Sequence, residues 1–537
     1  MGTIRFAGLG DMQTACVLAV RNLAPALILM ALVSTCSGGS HNSSTASISA
    51  TASQSLGPSA SGATGETGLP ADRVTFYGAN AGDQAASIVA GDFNEDGVID
   101  VALGAASANG PGDNRAGAGA VYVFFGPFAP GSSLDAGAPQ YDAAFYGAAA
   151  GDGLGRALSV GDFNGDGVDD LVMAAPAANT GAGRVYVMFG GTWPRQTDFA
   201  AADPDVLLSG GAAGDYAGFT LVTADLNVDK KSDLIVGAML ADGPQRARPD
   251  SGEVYVLSGA DLVPGSNIDL EKTRGIVYGA RTGDRLGEGL TTGDVNGDGK
   301  PDLILAATFS GGPDGSRAAA GETYVITSPA ALPLDLASGG AAMEVLGAAS
   351  GDQLGYSVGA GDTSGSGAAD IWLGAPSADG TGNTANLAGQ AALVAGKRPA
   401  GTVIDVGAGQ ANAIIYGPET ESRLGRSLAV GDLNGDHRAD LAISAPDLDA
   451  RAGRVFIFYA RGSYLDSASV ANVVLYGLDP GDILGFEAFG MPSLSIADVD
   501  KDGRPDLLVS APGGGGPRND RPGCGEAYLI WGKTLGR

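Results

Sequence analysis

Histidine is nearly missing from this chain: His41 and His437 are the only two in 537 residues. That scarcity argues against chemistry built on a histidine base and against a multi-histidine metal site. Cysteine is almost as rare, at Cys16, Cys36 and Cys524. Two of the three lie in the first 36 residues, so a mature chain starting at or after Cys36 has no disulfide framework. Aromatic residues make up 6% against 44% hydrophobic overall, so the apolar content is mostly Ala, Val and Leu. Basic residues are outnumbered 60 to 31, for a net charge of −29. Such a chain repels phosphate backbones, which argues against a nucleic-acid partner. Glycine, by contrast, is abundant at 89 residues, more than twice its usual share of about 7%. Short strands joined by tight turns suit that composition, and helical bundles do not.

Long hydrophobic runs are also scarce. The one candidate, LAPALILMALV at 23–33, is too short to span a bilayer comfortably and has the length of a signal-peptide core. Arg21 precedes it, and Met1 or Met12 is the start. Val33-Ser34-Thr35-Cys36 resembles a bacterial lipobox, with Thr35 where Gly or Ala is usual. The expectation is an export signal over 1–36, with a lipid on Cys36 as the only membrane attachment, or simple secretion without it. Residues 37–72 follow as a Ser/Thr/Gly/Ala tether that has too little apolar surface to offset ordering entropy.

From residue 73 to 537 one pattern recurs seven times. Its centre is an acidic loop: GDFNEDGVID at 91–100, GDFNGDGVDD at 161–170, ADLNVDKKSD at 224–233, GDVNGDGKPD at 293–302, GDTSGSGAAD at 361–370, GDLNGDHRAD at 431–440 and ADVDKDGRPD at 497–506. Units spaced 63 to 70 residues apart are a repeat architecture. Each reads as four short strands. A small-residue strand such as ALSVGD precedes the loop, and an apolar run such as DLVMAAP follows it. An alternating strand such as RVYVMFG comes next, and the last ends in Tyr-Gly. This predicts an all-β, seven-bladed propeller of four-stranded blades, with the small-residue strand innermost, where the axis is most crowded. The units begin with an outer-type strand, VTFYG at 74–78, and end with a third-type strand, AYLIWG at 527–532. The N-terminal strand is therefore expected to complete blade seven and close the ring.

The units resemble FG-GAP repeats, the blades of integrin-α propellers and their bacterial relatives. The GAP element stands as GAP at 374–376, AAP at 174–176 and SAP at 444–446 and 510–512. The FG element is Leu-Gly, at 154–155, 286–287, 354–355, 424–425 and 484–485. The resemblance covers about residues 73–532. It implies calcium between the first and second strands of a blade, and a ligand face on the opposite side.

The loop pattern D-x-[ND]-x-D-G-x-x-D places oxygens at positions 1, 3, 5 and 9, with a backbone carbonyl at 7, around one hard cation. The candidate ligands are Asp92, Asn94, Asp96, Val98 and Asp100 in loop one, and Asp162, Asn164, Asp166, Val168 and Asp170 in loop two. Loop three offers Asp225, Asn227, Asp229 and Asp233, and loop four Asp294, Asn296, Asp298, Lys300 and Asp302. Loop six offers Asp432, Asn434, Asp436, Arg438 and Asp440, and loop seven Asp498, Asp500, Asp502, Arg504 and Asp506. An EF-hand would need a glutamate at position 12, where every loop has an apolar residue, from Leu103 to Val509. One such loop alone is an ordinary Asp/Asn/Gly turn. Seven in phase are read as Ca²⁺ sites. Loops one, two, four and seven are expected to bind strongly. Loop six has His437 for Gly, and loop three has Lys230 and Lys231, so both should be weaker. Loop five, with Ser364 and Ser366 beside Asp362 and Asp370, should be weakest or empty. Twenty-one of the 60 acidic residues stand at these ligand positions, so much of the acidity belongs to them.

No Ser-His pair, phosphate loop or zinc cluster is visible, and the repeats leave no room for a separate catalytic domain. The expectation is a non-enzymatic surface binding or adhesion module for a protein or polysaccharide, with an envelope scaffold as the alternative and a hydrolase- or lyase-associated propeller a more distant one. Connections that vary between blades, such as 107–119 and 240–252, suit recognition on the face opposite the acidic loops.

Overall fold

The computed structural model describes residues 68–327, 331–460, 471–486 and 493–535. The expected export signal, Cys36 and nearly all of the tether lie outside them. The described residues form seven sheets arranged in a ring, each with four strands paired antiparallel. Blade one runs from Ser87–Gly91 through Asp100–Ala105 and Ala120–Phe124 to Ala143–Tyr146, and the other blades repeat that order. The first strands contact one another in sequence around the axis, and Leu494–Ala497 of blade seven meets Ser87–Gly91 of blade one.

The small-residue strand is innermost, as its composition requires. A Cβ on Gly161 would lie 2.4 Å from Thr223 Cγ2 of the next blade, closer than packed atoms tolerate. Every residue of the second strand is buried in all seven blades. That is why it reads as an unbroken apolar run rather than an alternating one. Successive side chains point to opposite faces: Leu103 packs towards blade seven and Ala102 towards blade two. The core is accordingly divided into seven layers, one at each junction between blades.

The N-terminal strand closes the ring. Val74–Tyr77 pairs antiparallel with Glu526–Ile530, Val74 opposite Leu529 and Tyr77 opposite Glu526. Blades are not uniformly four-stranded, however. Among the described residues, five of the seven carry a fifth, outermost strand running parallel to the fourth. It is donated by the third-to-fourth connection of the next blade, as when Gln196–Asp198 pairs with Ala144–Tyr146. These straps are short and polar, and they cover a sheet edge that would otherwise present unpaired backbone. Each ends in an aspartate: Asp135, Asp198, Asp269, Asp335 or Asp405.

The Leu-Gly and GAP elements lie at the blade junctions. A Cβ on Gly104 would come 2.2 Å from the carbonyl oxygen of Gly155 in the next blade. Small residues there let neighbouring blades approach backbone to backbone.

Candidate metal centre

Each acidic loop joins the end of an innermost strand to the start of the second strand, so all seven open on one face around the axis. Loop two shows how the sequence builds the turn. The Asp162 carboxylate accepts from the N–H groups of Gly165 (2.6 Å), Asp166 (3.2 Å) and Gly167 (2.9 Å). Asn164 Oδ1 accepts from Asp166 N–H at 2.8 Å, and Asp166 Oδ1 from Val168 N–H at 2.9 Å. Side chains at positions 1, 3 and 5 thus fold the loop onto their own oxygens. Positions 4 and 6 both have positive φ in every loop. Glycine accepts this freely at Gly165 and Gly167, while Lys230 (φ 70°) and His437 (φ 68°) adopt it without glycine's freedom.

The aspartate at position 9 also has a backbone role that the sequence did not reveal. It is buried in every loop. Asp170 Oδ2 accepts from Phe163 N–H and Oδ1 from Gly190 N–H, both at 2.8 Å. Asp100, Asp233, Asp440 and Asp506 are held the same way. Each clamps the loop to the turn after the third strand. Loop five shows that positions 1 and 9 suffice to form the turn. It keeps Asp362 and Asp370, has Ser364 and Ser366 at positions 3 and 5, and folds alike.

The loops are also linked around the ring. The N–H at position 8 donates to the position 1 carbonyl of the preceding loop, from Asp169 to Asp92, Ser232 to Asp162, Ala369 to Asp294 and Ala439 to Asp362. Pro301 and Pro505 stand at position 8 in loops four and seven and have no such hydrogen.

The donor set fits a hard divalent cation, since it consists of oxygens. Asp92 Oδ1 is buried and has no hydrogen-bond partner. In loop seven, oxygens of Asp498, Asp500 and Asp506 all lie within 4.8 Å of one another, and Lys533 Nζ sits 2.5 Å from Asp500 Oδ2. Burial pushes the carboxyls of Asp100, Asp170 and Asp440 up to about 7 and that of Asp506 to about 6, against the lowering effect of the backbone donors. The other loop carboxylates, such as Asp96 and Asp92 beside Asp100, add to the rise. A cation among them would relieve that repulsion. The position 7 residues Val98, Val168, Lys300, Arg438 and Arg504 donate their N–H to the position 5 aspartate.

A second ring of carboxylates went unread in the sequence. Asp83, Asp152, Asp215, Asp284, Asp352 and Asp482 occupy the fourth-to-first connections on the opposite face, and all are buried. Most accept from the backbone N–H three residues earlier, as Asp352 does from Ala349. The signal was a Gly-Asp two residues ahead of most Leu-Gly pairs. Also unread were the arginines of the second-to-third connections. Arg115, Arg248, Arg317 and Arg521 each reach the strap aspartate of the next blade.

Comparison with known proteins agrees with this geometry. The FG-GAP repeat model matches residues 154–188, 217–257, 286–326, 424–458 and 492–528, each match lying in a different blade. Integrin alpha-PS2 of Drosophila melanogaster is 32% identical over 167 residues, 30% of this chain and 11% of that protein. Phosphatidylinositol-glycan-specific phospholipase D of Bos taurus is 31% identical over 222 residues, 39% of this chain and 25% of that protein. Integrin alpha-V of Gallus gallus is 29% identical over 161 residues, 29% of this chain and 14% of that protein. The matched stretches thus cover a quarter or less of these relatives. With five matched FG-GAP repeats and similarity to integrin alpha chains, the chain is an integrin-α-like FG-GAP repeat protein.

Proposed function

We propose that the chain is an exported, calcium-binding propeller that acts as a cell-surface binding or adhesion module for a protein or glycan, without catalytic activity of its own. The observation that carries the calcium assignment is the convergence of Asp498, Asp500 and Asp506 in loop seven. Asp, Asn and backbone oxygens at positions 1, 3, 5 and 7 would hold the ion, with the position 9 aspartate as clamp and neighbouring ligand. The ion would stiffen the loop face and leave recognition to the opposite face, where the connections vary from blade to blade. Among the described residues no helix is long and apolar enough to cross a membrane. Attachment through a lipid on Cys36 belongs to this proposal.

The test is a pull-down from the producing cell's surroundings, with calcium and with chelator. Calcium-dependent capture of surface protein or polysaccharide supports the reading. Capture of envelope proteins alone would instead make the chain a scaffold. The match to proteins named as phospholipase D favours a further alternative, a propeller that accompanies a hydrolase. Co-purification of hydrolase activity with the intact chain would point that way.

A further inference from the structure

Two lysines reach the acidic loops from outside them. In six blades the position 9 aspartate accepts from one N–H in the turn after the third strand, that of Gly126, Gly190, Gly259, Gly396, Ala460 or Gly532. The residue that follows is thereby held beside the loop of its own blade. In blades one to three it is Pro127, Gly191 and Ala260, none of which carries a charge. In blades five and seven it is Lys397 and Lys533. Pro329 and Arg461, the corresponding residues of blades four and six, lie outside the described residues.

Both lysines place an ammonium on a loop oxygen. Lys397 Nζ donates to the position 5 carbonyl of loop five, that of Ser366, at 2.5 Å. Lys533 Nζ donates to Asp500 Oδ2 at position 3 of loop seven, also at 2.5 Å. These two loops are the extremes of the set. Loop five has the fewest carboxylates at its ligand positions, Asp362 and Asp370. Loop seven has the most, because Asp500 stands where the other loops have asparagine or serine. The ammonium of Lys533 therefore meets the one carboxylate that only this loop carries.

The placement of Lys533 is supported from behind. Its Nζ lies 4.9 Å from the centroid of the Trp531 ring, and that indole Nε1 donates to the Asp72 carbonyl at 2.8 Å. Loop seven also has fewer backbone ties, since Pro505 denies it the bond that other loops make to the loop before. The Lys533 side chain is still 45% exposed, so an ion reaches Asp500 without any opening of the fold. A divalent ion and an ammonium on the same carboxylate repel each other, so each weakens the binding of the other.

We propose that these lysines are built-in cations of the acidic loops. Lys397 serves loop five in place of a metal. Lys533 neutralises Asp500 until calcium displaces it, so loop seven stays ordered without calcium and takes up the ion by exchanging one cation for another. The proposal rests on the reading of the loops as calcium sites, and it adds the residue that sets the affinity of one of them.

Native mass spectrometry of the full chain at limiting calcium, with melting temperatures in chelator, tests this. Lys533→Met removes the charge and keeps a long side chain. It should raise the affinity for one ion about fivefold, the size of an exposed ion pair. It should also lower the melting temperature in chelator by about 1 °C. The gain in affinity should vanish in an Asp502→Ala background, which lacks the position 5 ligand of loop seven. Lys397→Met should lower the melting temperature in chelator by a similar amount and leave the number of bound ions unchanged. A gain that persists in the Asp502→Ala background would assign the effect to the general field of the loop face and overturn the proposal. Unchanged melting temperatures in both Met variants would overturn it as well. A chain that binds calcium with the same affinity in Lys533→Met would overturn this proposal alone. A chain that binds no calcium would remove the calcium reading beneath it.

Discussion

Arg317 grips Asp405 with two parallel bonds, Nη1 to Oδ1 and Nη2 to Oδ2, both 2.8 Å long. The arginine belongs to the second-to-third connection of blade four and the aspartate to the strap that blade five lays along blade four's outer edge. Arg115 with Asp198, Arg248 with Asp335 and Arg521 with Asp135 repeat the arrangement at other junctions. The pairs latch successive blades together outside their apolar layers.

Breaking one latch should have a small effect, because both partners are partly exposed and screened. Arg317→Ala is expected to cost about 1 kcal/mol or less, read as a lower urea midpoint. A double-mutant cycle with Asp405→Ala should show the two losses to be coupled. Additive losses would mean that the pair contributes nothing as a pair.

The two aspartate roles in the loops predict different variants. Asp170→Ala leaves the Phe163 and Gly190 N–H groups without their acceptor. It should therefore cost about 2 kcal/mol or more with or without calcium. Asp166→Ala should lower the melting temperature mainly in calcium, since its carboxylate is a proposed ligand. Ser366→Ala, at the same position of loop five, should do little in either condition. Equal losses for Asp166→Ala and Ser366→Ala in calcium would show that these loops are only turns.

Much of this was legible in the sequence because the repeat multiplies weak signals. A run such as DIWLGA is ambiguous alone, but seven in phase mark a strand buried on both faces. The closing strand followed from the mismatch between VTFYG at the start and AYLIWG at the end. The straps could not be read: Ser133–Asp135 and Gln196–Asp198 are three residues long, polar, and paired through backbone to a strand of the preceding blade. The latches were hidden for the same reason, since Arg317 and Asp405 lie 88 residues apart. The position 9 aspartates were found as candidate ligands, but their bonds to the backbone could not be read. Clamp and metal ligand call for the same residue type, and the donors to Asp170, the Phe163 and Gly190 N–H groups, are visible only in the structure.

The carboxylates on the opposite face predict a pH effect. Burial raises the Asp83, Asp352 and Asp482 carboxyls from 3.8 to about 6 in the folded chain. The folded state therefore holds protons that the unfolded state has released. The resulting stabilisation is full below about pH 4 and is lost as pH rises through about 6. Asparagine at position 352 mimics the protonated form. Between about pH 4 and pH 7.5, the wild type should lose more melting temperature than Asp352→Asn, both measured in chelator. Parallel curves would mean that Asp352 titrates normally.

The central claim is that the acidic loops hold calcium in the folded chain. Native mass spectrometry of the intact protein, titrated with calcium, tests it most directly. Strong binding is expected at the first, second, fourth and seventh loops, with one ion fewer in Asp166→Ala and no change in Ser366→Ala. A chain that takes up no calcium, or that keeps its full complement in Asp166→Ala, would contradict it.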